Sequence, residues 1–182
     1  MDALPERRRG AGRPIAGRPT HVRADGGLVM VDVGGKVSSD RFARARALVR
    51  MSPESGDALR AATLPKGDAF VAAQLAGIMA AKATATLIPL AHPLPLAQVE
   101  VSFAWDEPGL LRIETLARTN AQTGVEMEAM TAAAVAALTI YDMTKAIERG
   151  IAIESIRLIE KRGGKSGPWL AEDATWLAED AS

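Results

Sequence analysis

Residues 99–115 read VEVSFAWDEPGLLRIET and decide the class of fold. Val99, Val101 and Phe103 alternate with polar residues, and the same period of two returns after the segment 106–109, which contains Pro and Gly. Alternation of this kind places apolar side chains on one face of a strand, and Pro and Gly between two such runs indicate a turn. The stretch therefore predicts an antiparallel β-hairpin that packs one face against a core.

Two helices are predicted on either side of this hairpin. From Asp68 to Thr84, large apolar residues recur at helical spacing with alanines between them, which predicts a buried helix. Thr123 and Glu126 form the pattern of a capping box, so a longer helix is expected to begin there and to run to Gly150. The large apolar residues of the first helix are Phe70, Val71, Leu75, Ile78 and Met79.

Three further strands complete the predicted domain, at residues 28–33, 42–51 and 151–161. Ser52 before Pro53 is typical of a helix start, which predicts a short helix to about Ala61. Antiparallel strands combined with two main helices predict an α+β fold, a two-layer sandwich in which the sheet packs against helices.

The overall composition excludes several classes of protein. The chain has 182 residues, 48% of them hydrophobic, and 22 basic residues balance 22 acidic ones, so a strongly basic nucleic-acid binder is excluded. No apolar run reaches the roughly 18 residues of a membrane span, and no signal-peptide pattern is visible at the start, so we expect a soluble cytoplasmic protein without a membrane partner. Without cysteine and with two histidines, no zinc site of the usual kinds is expected.

The two ends of the chain differ in charge from its body. Residues 1–26 contain six arginines and three acids, which predicts a disordered basic arm, and residues 168–182 form an acidic tail with four acids and no base, expected to be a frayed helix. Between them, residues 27–167 are expected to form a single catalytic domain. The arm suggests nucleic-acid binding as an alternative, but it lacks aromatic partners, and we expect no nucleic-acid partner.

Lysines and one helix face supply the first candidates for chemistry. The chain has 16 arginines and 6 lysines, and a lysine can lose its proton when its pKa is lowered, whereas an arginine stays charged. Glu128, Asp142 and Lys145 lie on one face of the predicted long helix, but 14 residues separate the two acids, roughly 21 Å along the axis. One small ligand does not easily reach both within one chain. Two copies meeting across a two-fold axis, or a solvated stripe with a salt bridge, are the alternatives.

Two local motifs are ambiguous by themselves. His92 lies between prolines in a loop after a helix, and a lone histidine in such a place more often has a structural role than a binding role. Residues 163–166 read GGKS, but the first glycine of a phosphate-binding loop is replaced by Ile159, so that interpretation is rejected.

Six short strings, in order along residues 28–167, resemble one known family. This family is the MoaC family of cyclic pyranopterin monophosphate synthases, which act in molybdenum cofactor biosynthesis. The strings are MVDV at 30–33, KGD at 66–68, IPLAHPL at 88–94, GVEMEA at 124–129, YDMTKA at 141–146 and GGKSG at 163–167.

The resemblance implies a ferredoxin-like fold and hexamers built as trimers of dimers, with the active site at the dimer interface. It also implies a lyase that converts 3′,8-cyclo-7,8-dihydro-GTP to cyclic pyranopterin monophosphate and releases pyrophosphate. Among lysines grouped with other cations, we expect one with a pKa lowered toward neutrality for proton transfer. The alternative is a non-catalytic nucleotide-binding or scaffold module of the same fold, which would require the loss of a catalytic residue.

The same resemblance assigns roles to individual residues. No resident cofactor and no metal site are expected, although a divalent metal bound with the triphosphate stays open. Two positions depart from the family, which commonly has cysteine where this chain has Ala91 and Thr144, so no cysteine-dependent mechanism operates here. The implied catalytic residues are Lys66, Asp142 and Lys145; the implied substrate-binding residues are Leu90, Ala91, His92, Glu126, Met127 and Glu128, with Arg41, Lys161 and Lys165 at the triphosphate.

Overall fold

A computed structural model of the chain describes residues 26–62 and 64–172. By Cα proximity the chain divides into two units, Met1–Val31 and Asp32–Ser182. Most of the predicted basic arm and the end of the acidic tail lie outside the described residues, so the predicted domain boundaries stay predictions.

The strand predicted at residues 28–33 is wrong. Leu28 forms one isolated bridge, and residues 29–33 form no strand. Its side chain is 71% exposed and that of Met30 is 47% exposed, so neither contributes an apolar face to a sheet. Further along, the Asp32 carboxylate accepts a hydrogen bond from the Gly34 N–H at 2.8 Å, which turns the chain instead of extending it.

Nine helices and strands follow one another in the described residues. In order, they are β1 Ser39–Arg50, α1 Pro53–Arg60, α2 Ala69–Lys82, α3 Thr84–Leu87, β2 Leu96–Glu107, β3 Leu110–Ala121, α4 Glu126–Thr144, β4 Ala152–Arg162 and β5 Trp169–Leu170. The five strands form one antiparallel sheet in the order β2-β3-β1-β4-β5. The helices α2 and α4 connect β1 to β2 and β3 to β4, which is the ferredoxin-like arrangement and confirms the predicted fold class.

The predicted hairpin is confirmed as β2 and β3, with Val101 opposite Thr115 and Phe103 opposite Ile113. Gly109 in its turn has φ +78°, and a Cβ there would lie 2.3 Å from the Met51 carbonyl oxygen. Only glycine fits this position, because L side chains rarely adopt a positive φ and the Met51 carbonyl group leaves no room. Three more predicted elements are confirmed. The strand predicted at 42–51 is β1, the short helix capped by Ser52 is α1, and the strand predicted at 151–161 is β4.

Small side chains form the core between the sheet and α4. Ala43, Ala45 and Ala47 on β1 are fully buried, as are most alanines of α4. The Thr115 hydroxyl donates a hydrogen bond of 2.7 Å to the carbonyl oxygen of Ala129, which joins β3 directly to the helix. Such contacts require a close approach of helix and sheet, which alanine permits and larger side chains would prevent.

Helix α2 exists as predicted, but small residues form its buried face, and several of its large apolar residues are exposed. Ala69, Ala73 and Gly77 are buried, whereas Val71 and Leu75 are each 59% exposed. A Cβ on Gly77 would lie 3.0 Å from a Val101 methyl group, so the small residues allow α2 to approach its neighbours closely. The prediction that the large residues lie buried is therefore wrong for this stripe, which also includes Met79.

Helix α4 is shorter than predicted at both ends. It begins at Glu126, and its N-cap residue Val125 makes no side-chain capping bond, so the predicted capping box is wrong. The Glu126 carboxylate instead lies against Gly124, where a Cβ would be 1.9 Å from it. At the other end, the Thr144 carbonyl oxygen accepts a bond of 2.9 Å from the Ile147 N–H, a tighter turn that ends the helix before Gly150.

The start of the acidic tail is a strand and not the expected helix. Trp169–Leu170 form β5, which pairs with Glu160 and Lys161 of β4. Three glycines with positive φ, the first of them Gly163, turn the chain back so that the tail meets the free edge of β4. Residues 173–182 lie outside the described part.

Candidate functional site

Lys66, Asp142 and Lys145 form one cluster at the C-terminal end of α4. The Lys66 ammonium lies 2.7 Å from Asp142 Oδ2 and 2.9 Å from the Asp142 carbonyl oxygen, and the Lys145 ammonium lies 2.6 Å from Oδ1. Asp142 and Lys145 meet because they are three residues apart on the helix, and Lys66 arrives from the segment before α2. The structure thus brings together the three residues predicted as catalytic.

Charge and hydrogen bonding determine the protonation of this cluster. The hydrogen bonds from Lys145 and Lys66 lower the pKa of Asp142 to about 2, and Asp142 raises the pKa of Lys145 above its usual value. The expectation of a lysine with a lowered pKa is therefore wrong for Lys145 in the single chain, because its nearest partner is a carboxylate and not a cation. The cluster carries one net positive charge when all three groups are ionised.

A second group of predicted residues lies at the N-terminal end of α4. Glu128 is only 4% exposed, and burial raises its pKa to about 6, with the Glu126 charge acting in the same direction. The Lys161 ammonium lies 3.5 Å from the Glu126 carboxylate and donates a hydrogen bond of 2.9 Å to the Ser166 hydroxyl. Met127 between the two acids is 38% exposed.

Arg41 is held beside this second group by backbone contacts. Its guanidinium donates hydrogen bonds of 3.4 Å to the carbonyl oxygens of Ala121 and Gln122. Gly164, at φ +80°, packs directly against it, since a Cβ there would lie 1.7 Å from one guanidinium nitrogen. Arg41 and Lys165 line a cavity of about 500 Å³.

The same cavity contains Lys36, a cation that the sequence reasoning did not assign to the site. The only sequence signal was its membership of the small set of lysines. Three cations around one cavity suit a polyphosphate, because charge-assisted hydrogen bonds to phosphate oxygens are strong.

The segment of Leu90, Ala91 and His92 lies between α3 and β2, and all three are half-buried. The Thr119 hydroxyl donates a bond of 2.6 Å to the Pro95 carbonyl oxygen, which ties this loop to the end of β3. That end of the sheet is where β1 and β4 place Arg41 and Lys161. The loop therefore belongs with the second group, at the N-terminal end of α4.

The predicted site residues thus form two groups and not one. Asp142 and Glu128 are 14 residues apart in one continuous helix, roughly 21 Å at the rise of an α-helix. The two acids on the predicted shared face also differ in exposure, since Glu128 is buried and Asp142 is exposed. Within one chain, a substrate of nucleotide size does not easily reach both groups.

Among residues 26–62 and 64–172, no group of three or more His, Asp or Glu side chains is arranged to hold a metal ion. Within the same residues, no helix is long and apolar enough to cross a membrane. Thr144, next to the lysine cluster, is fully buried, and its hydroxyl has no hydrogen-bond partner in the described structure.

Comparison with known proteins identifies the family. Residues 30–164 match the MoaC family. This range includes both ends of α4 and every predicted site residue except Lys165. The chain belongs to the MoaC family. The resemblance noted in the sequence is thereby confirmed over most of the chain.

Individual MoaC relatives are similar along nearly their whole length. The cyclic pyranopterin monophosphate synthase of Novosphingobium aromaticivorans is 53% identical over 154 residues, which cover 85% of this chain and 98% of the relative. The synthases of the same name from Trichodesmium erythraeum and Brucella ovis are each 52% identical, covering 84% and 87% of this chain and 93% and 97% of the relatives.

Proposed function

We propose that this protein is a cyclic pyranopterin monophosphate synthase of molybdenum cofactor biosynthesis. It converts 3′,8-cyclo-7,8-dihydro-GTP to cyclic pyranopterin monophosphate and releases pyrophosphate. The relatives of that name support the assignment, and the single structural observation that carries it is the Asp142 carboxylate held by two lysines at 2.7 and 2.6 Å. The alternative of a non-catalytic binding module has no support, because none of the implied catalytic residues is missing.

The proposed roles follow from the chemistry of the rearrangement. Ring opening and reclosure need protons moved in both directions, and we assign these transfers to Lys66 and Lys145, which contact the same Asp142 carboxylate. Asp142 stays ionised at neutral pH and holds both ammonium groups in place. Arg41, Lys161 and Lys165 bind the triphosphate and stabilise the negative charge of the departing pyrophosphate.

The substrate's pterin-forming ring is assigned to the other predicted residues of the second group. Glu128 accepts hydrogen bonds from the amino and ring N–H groups of the guanine-derived ring, as a carboxylate can. Met127 and His92 line the same ring, with Glu126 and the loop of Leu90 and Ala91 beside them.

A complete site then requires two copies of the chain. The lysine cluster of one copy joins the second group of another, since the two groups lie roughly 21 Å apart within one chain. Exposed apolar side chains on α2 and α4 support such an assembly, because exposed apolar surface commonly marks an interface. They are Val71, Leu75, Met79 and Leu138. We assign the chain to a homo-oligomer, a hexamer built as a trimer of dimers, with the active site at the dimer interface.

Mixed oligomers test the shared site. Asp142→Asn disables the lysine cluster and Glu128→Gln disables the second group, so each pure variant is expected to be inactive with the cyclised GTP substrate. Co-expression with two different affinity tags, purified through both, yields hexamers that contain mixed dimers, and each mixed dimer has one intact site in two. Random pairing makes about half of the dimers mixed, so turnover per hexamer should recover to about a quarter of the wild-type value.

The matched control combines Asp142→Asn with Lys66→Ala, two lesions in the same group. Such mixed dimers retain no intact site and should stay inactive. No recovery in the first combination despite mixed dimers would place the whole site within one chain. Recovery in the control would show that Lys66 and Asp142 reach one site from different chains.

The apolar surface has its own test. Leu75→Lys places a charge in the proposed interface and should lower the oligomer mass measured by analytical ultracentrifugation. Lys82→Gln, at the exposed end of the same helix, should leave that mass unchanged. An unchanged mass in both variants would exclude α2 from the interface.

The proposal assigns the enzyme no resident cofactor, and leaves open a divalent cation that enters with the triphosphate. Turnover measured in a chelator and then with added magnesium distinguishes these cases. A cytoplasmic location and the absence of a nucleic-acid partner are part of the same proposal, and cell fractionation and a DNA-binding assay test them.

A further inference from the structure

Phe42 lies on the sheet face opposite the helices, with guanidinium groups on three sides. Within the sheet it lies directly between Arg118 of β3 and Arg162 of β4. The guanidinium carbons of Arg118 and Arg162 lie 5.5 and 5.3 Å from the centre of its ring, and that of Arg44, two residues further along β1, lies 5.9 Å away. Three cations therefore converge on one aromatic side chain.

The charges of this cluster are not balanced as they are elsewhere on the same face. Further along β1, Arg46 pairs with Glu114 at 3.0 Å, and Arg50 pairs with two glutamates, one of them Glu107 at 2.6 Å. Around Phe42, only Arg162 pairs with a carboxylate, that of Glu160. Within the described residues, Arg44 and Arg118 form no ion pair, and their contact with the ring neutralises no charge.

A cavity of about 420 Å³ opens at this cluster, a size that suits a small ligand. Its charged lining is three arginines and Asp40, which gives a formal charge of +3 − 1 = +2. The Asp40 carboxylate already accepts a hydrogen bond of 2.6 Å from the Asn120 amide. The polar lining residues are Arg41, Arg118, Arg162, Asp40, Asn120 and Thr119.

We propose that this cavity is a second anion site, which binds the phosphate chain of pyrophosphate or of a nucleotide. A cation–π contact leaves guanidinium N–H groups available, and these match phosphate oxygens in a fork geometry. Arg118 and Arg162 stand two strands apart, a separation of about 10 Å at the backbone. An extended polyanion spans that distance better than a single carboxylate.

The site is distinct from the cavity assigned to the substrate triphosphate. Arg41 lines both cavities, but Lys36 and Lys165 line only the other one, and Phe42 and Arg118 line only this one. The inference does not rest on the proposed reaction, because it uses only charges and geometry around Phe42.

Calorimetric titration with inorganic pyrophosphate, without divalent metal, tests the site in the full-length chain. The wild type should bind two equivalents per chain. Arg118→Gln combined with Arg162→Gln should weaken one of them at least about tenfold and keep the other, since each lost bond to a charged group costs substantially. Lys161→Ala combined with Lys165→Ala should weaken the other equivalent and keep the one that depends on Arg118 and Arg162.

Two further variants distinguish a loss of this site from a general effect of misfolding or of lost positive charge. Phe42→Leu keeps every charge and removes the ring, and should weaken the same equivalent by about two- to fivefold. Arg50→Gln, on the same sheet face but paired with glutamates, should leave both equivalents unchanged. Titrating the Lys161→Ala, Lys165→Ala variant with tripolyphosphate and with GTP then distinguishes the source, because tighter binding of GTP identifies a nucleotide.

Unchanged pyrophosphate binding in the Arg118→Gln, Arg162→Gln variant would overturn the proposal. An equal loss in Arg50→Gln would also overturn it, as a general charge effect. If the wild type shows no second equivalent and the double variant changes the oligomer mass, the cluster is an interface between copies and not an anion site. A wild type that binds one equivalent, which is weakened by Arg118→Gln with Arg162→Gln but not by Lys161→Ala with Lys165→Ala, would contradict the triphosphate site of the proposed function. It would leave the site around Phe42 standing.

Discussion

The two ends of α4 carry carboxylates in opposite electrostatic states. At the first turn, Glu128 is 4% exposed and burial raises its pKa to about 6. At the last turn, Asp142 is exposed and hydrogen bonds from two lysines lower its pKa to about 2. The groups are chemically alike, so the difference comes from desolvation at one end and from charged partners at the other.

This contrast suits the two ends to different tasks. The exposed carboxylate with two ammonium partners is a fixed anion that orders neighbouring cations. The buried carboxylate lies where a hydrogen-bonding ligand would replace the water it has lost. One helix therefore presents two unlike half-sites, and the predictions below examine one end at a time.

Removing the charge at the exposed end should have the largest effect. Asp142→Asn keeps the shape of the side chain but no longer fixes Lys66 and Lys145, and we expect kcat/KM for the cyclised GTP substrate to fall by about 100-fold or more. Asp57→Asn on α1, where an exposed aspartate also pairs with Arg60, should leave turnover unchanged. Full turnover in Asp142→Asn would remove it from the proposed mechanism.

Neutralising the buried end should change the pH dependence of stability. The folded pKa of Glu128, about 6, lies above its ordinary 4.5, so the folded state binds more protons between these values. The free energy of unfolding should therefore fall by about 2 kcal/mol in all as pH rises from well below 4.5 to well above 6, with most of the decline between these two values. Urea unfolding across this range should show that decline in the wild type and lose it in Glu128→Gln.

The exposed Glu54 of α1 supplies the control for this experiment. Glu54→Gln should keep the decline. A decline that persists in Glu128→Gln would assign it to another group.

Two buried threonines, one near each end of α4, should respond to valine in opposite directions. The Thr144 hydroxyl has no partner in the described structure, so Thr144→Val should stabilise the fold by about 1 kcal/mol. The Thr115 hydroxyl donates to the Ala129 carbonyl oxygen at 2.7 Å, so Thr115→Val should destabilise the fold by about as much. Thermal unfolding measures both shifts, and a destabilised Thr144→Val would indicate a partner for that hydroxyl.

The smallest effect expected is on the titration of Asp142 itself. The hydrogen bond from Lys145 lowers its pKa more than the one from Lys66. Lys145→Gln should therefore raise the Asp142 pKa from about 2 toward 3.8 by more than Lys66→Gln does. Carboxyl-carbon NMR in acid follows this titration, and the reverse ranking would show that Lys66 is the stronger partner.

Elements with strong local signals were predictable from the sequence. The alternation around Val101 and the Ser52–Pro53 pair each identify an element without reference to the rest of the chain. The errors arose where tertiary contacts decide. The exposed face of α2 carries large apolar residues, which are the residue types expected on a buried face. Composition therefore could not show that Gly77 and the alanines are the residues that face α4. Strand β5 has only two residues and exists because β4 offers a free edge.

The candidate site shows the same division. Spacing on a helix predicted the contact of Asp142 with Lys145. Lys66 lies 76 positions from Asp142, and only the family resemblance associated them before the structure did. Lys36 and the arginines around Phe42 were missed, because strand register and loop packing bring them together and neither leaves a periodic signal.

By itself, the sequence determined the α+β class, the family and the identity of the charged residues, because periodicity and motifs are properties of neighbouring positions. Only the tertiary structure decided how those charges are grouped. The fold places the two sets of predicted site residues at opposite ends of α4, buries one carboxylate and pairs the other with two lysines. Desolvation and ion pairing depend on what lies within a few ångströms in space, which the order of residues along the chain does not specify.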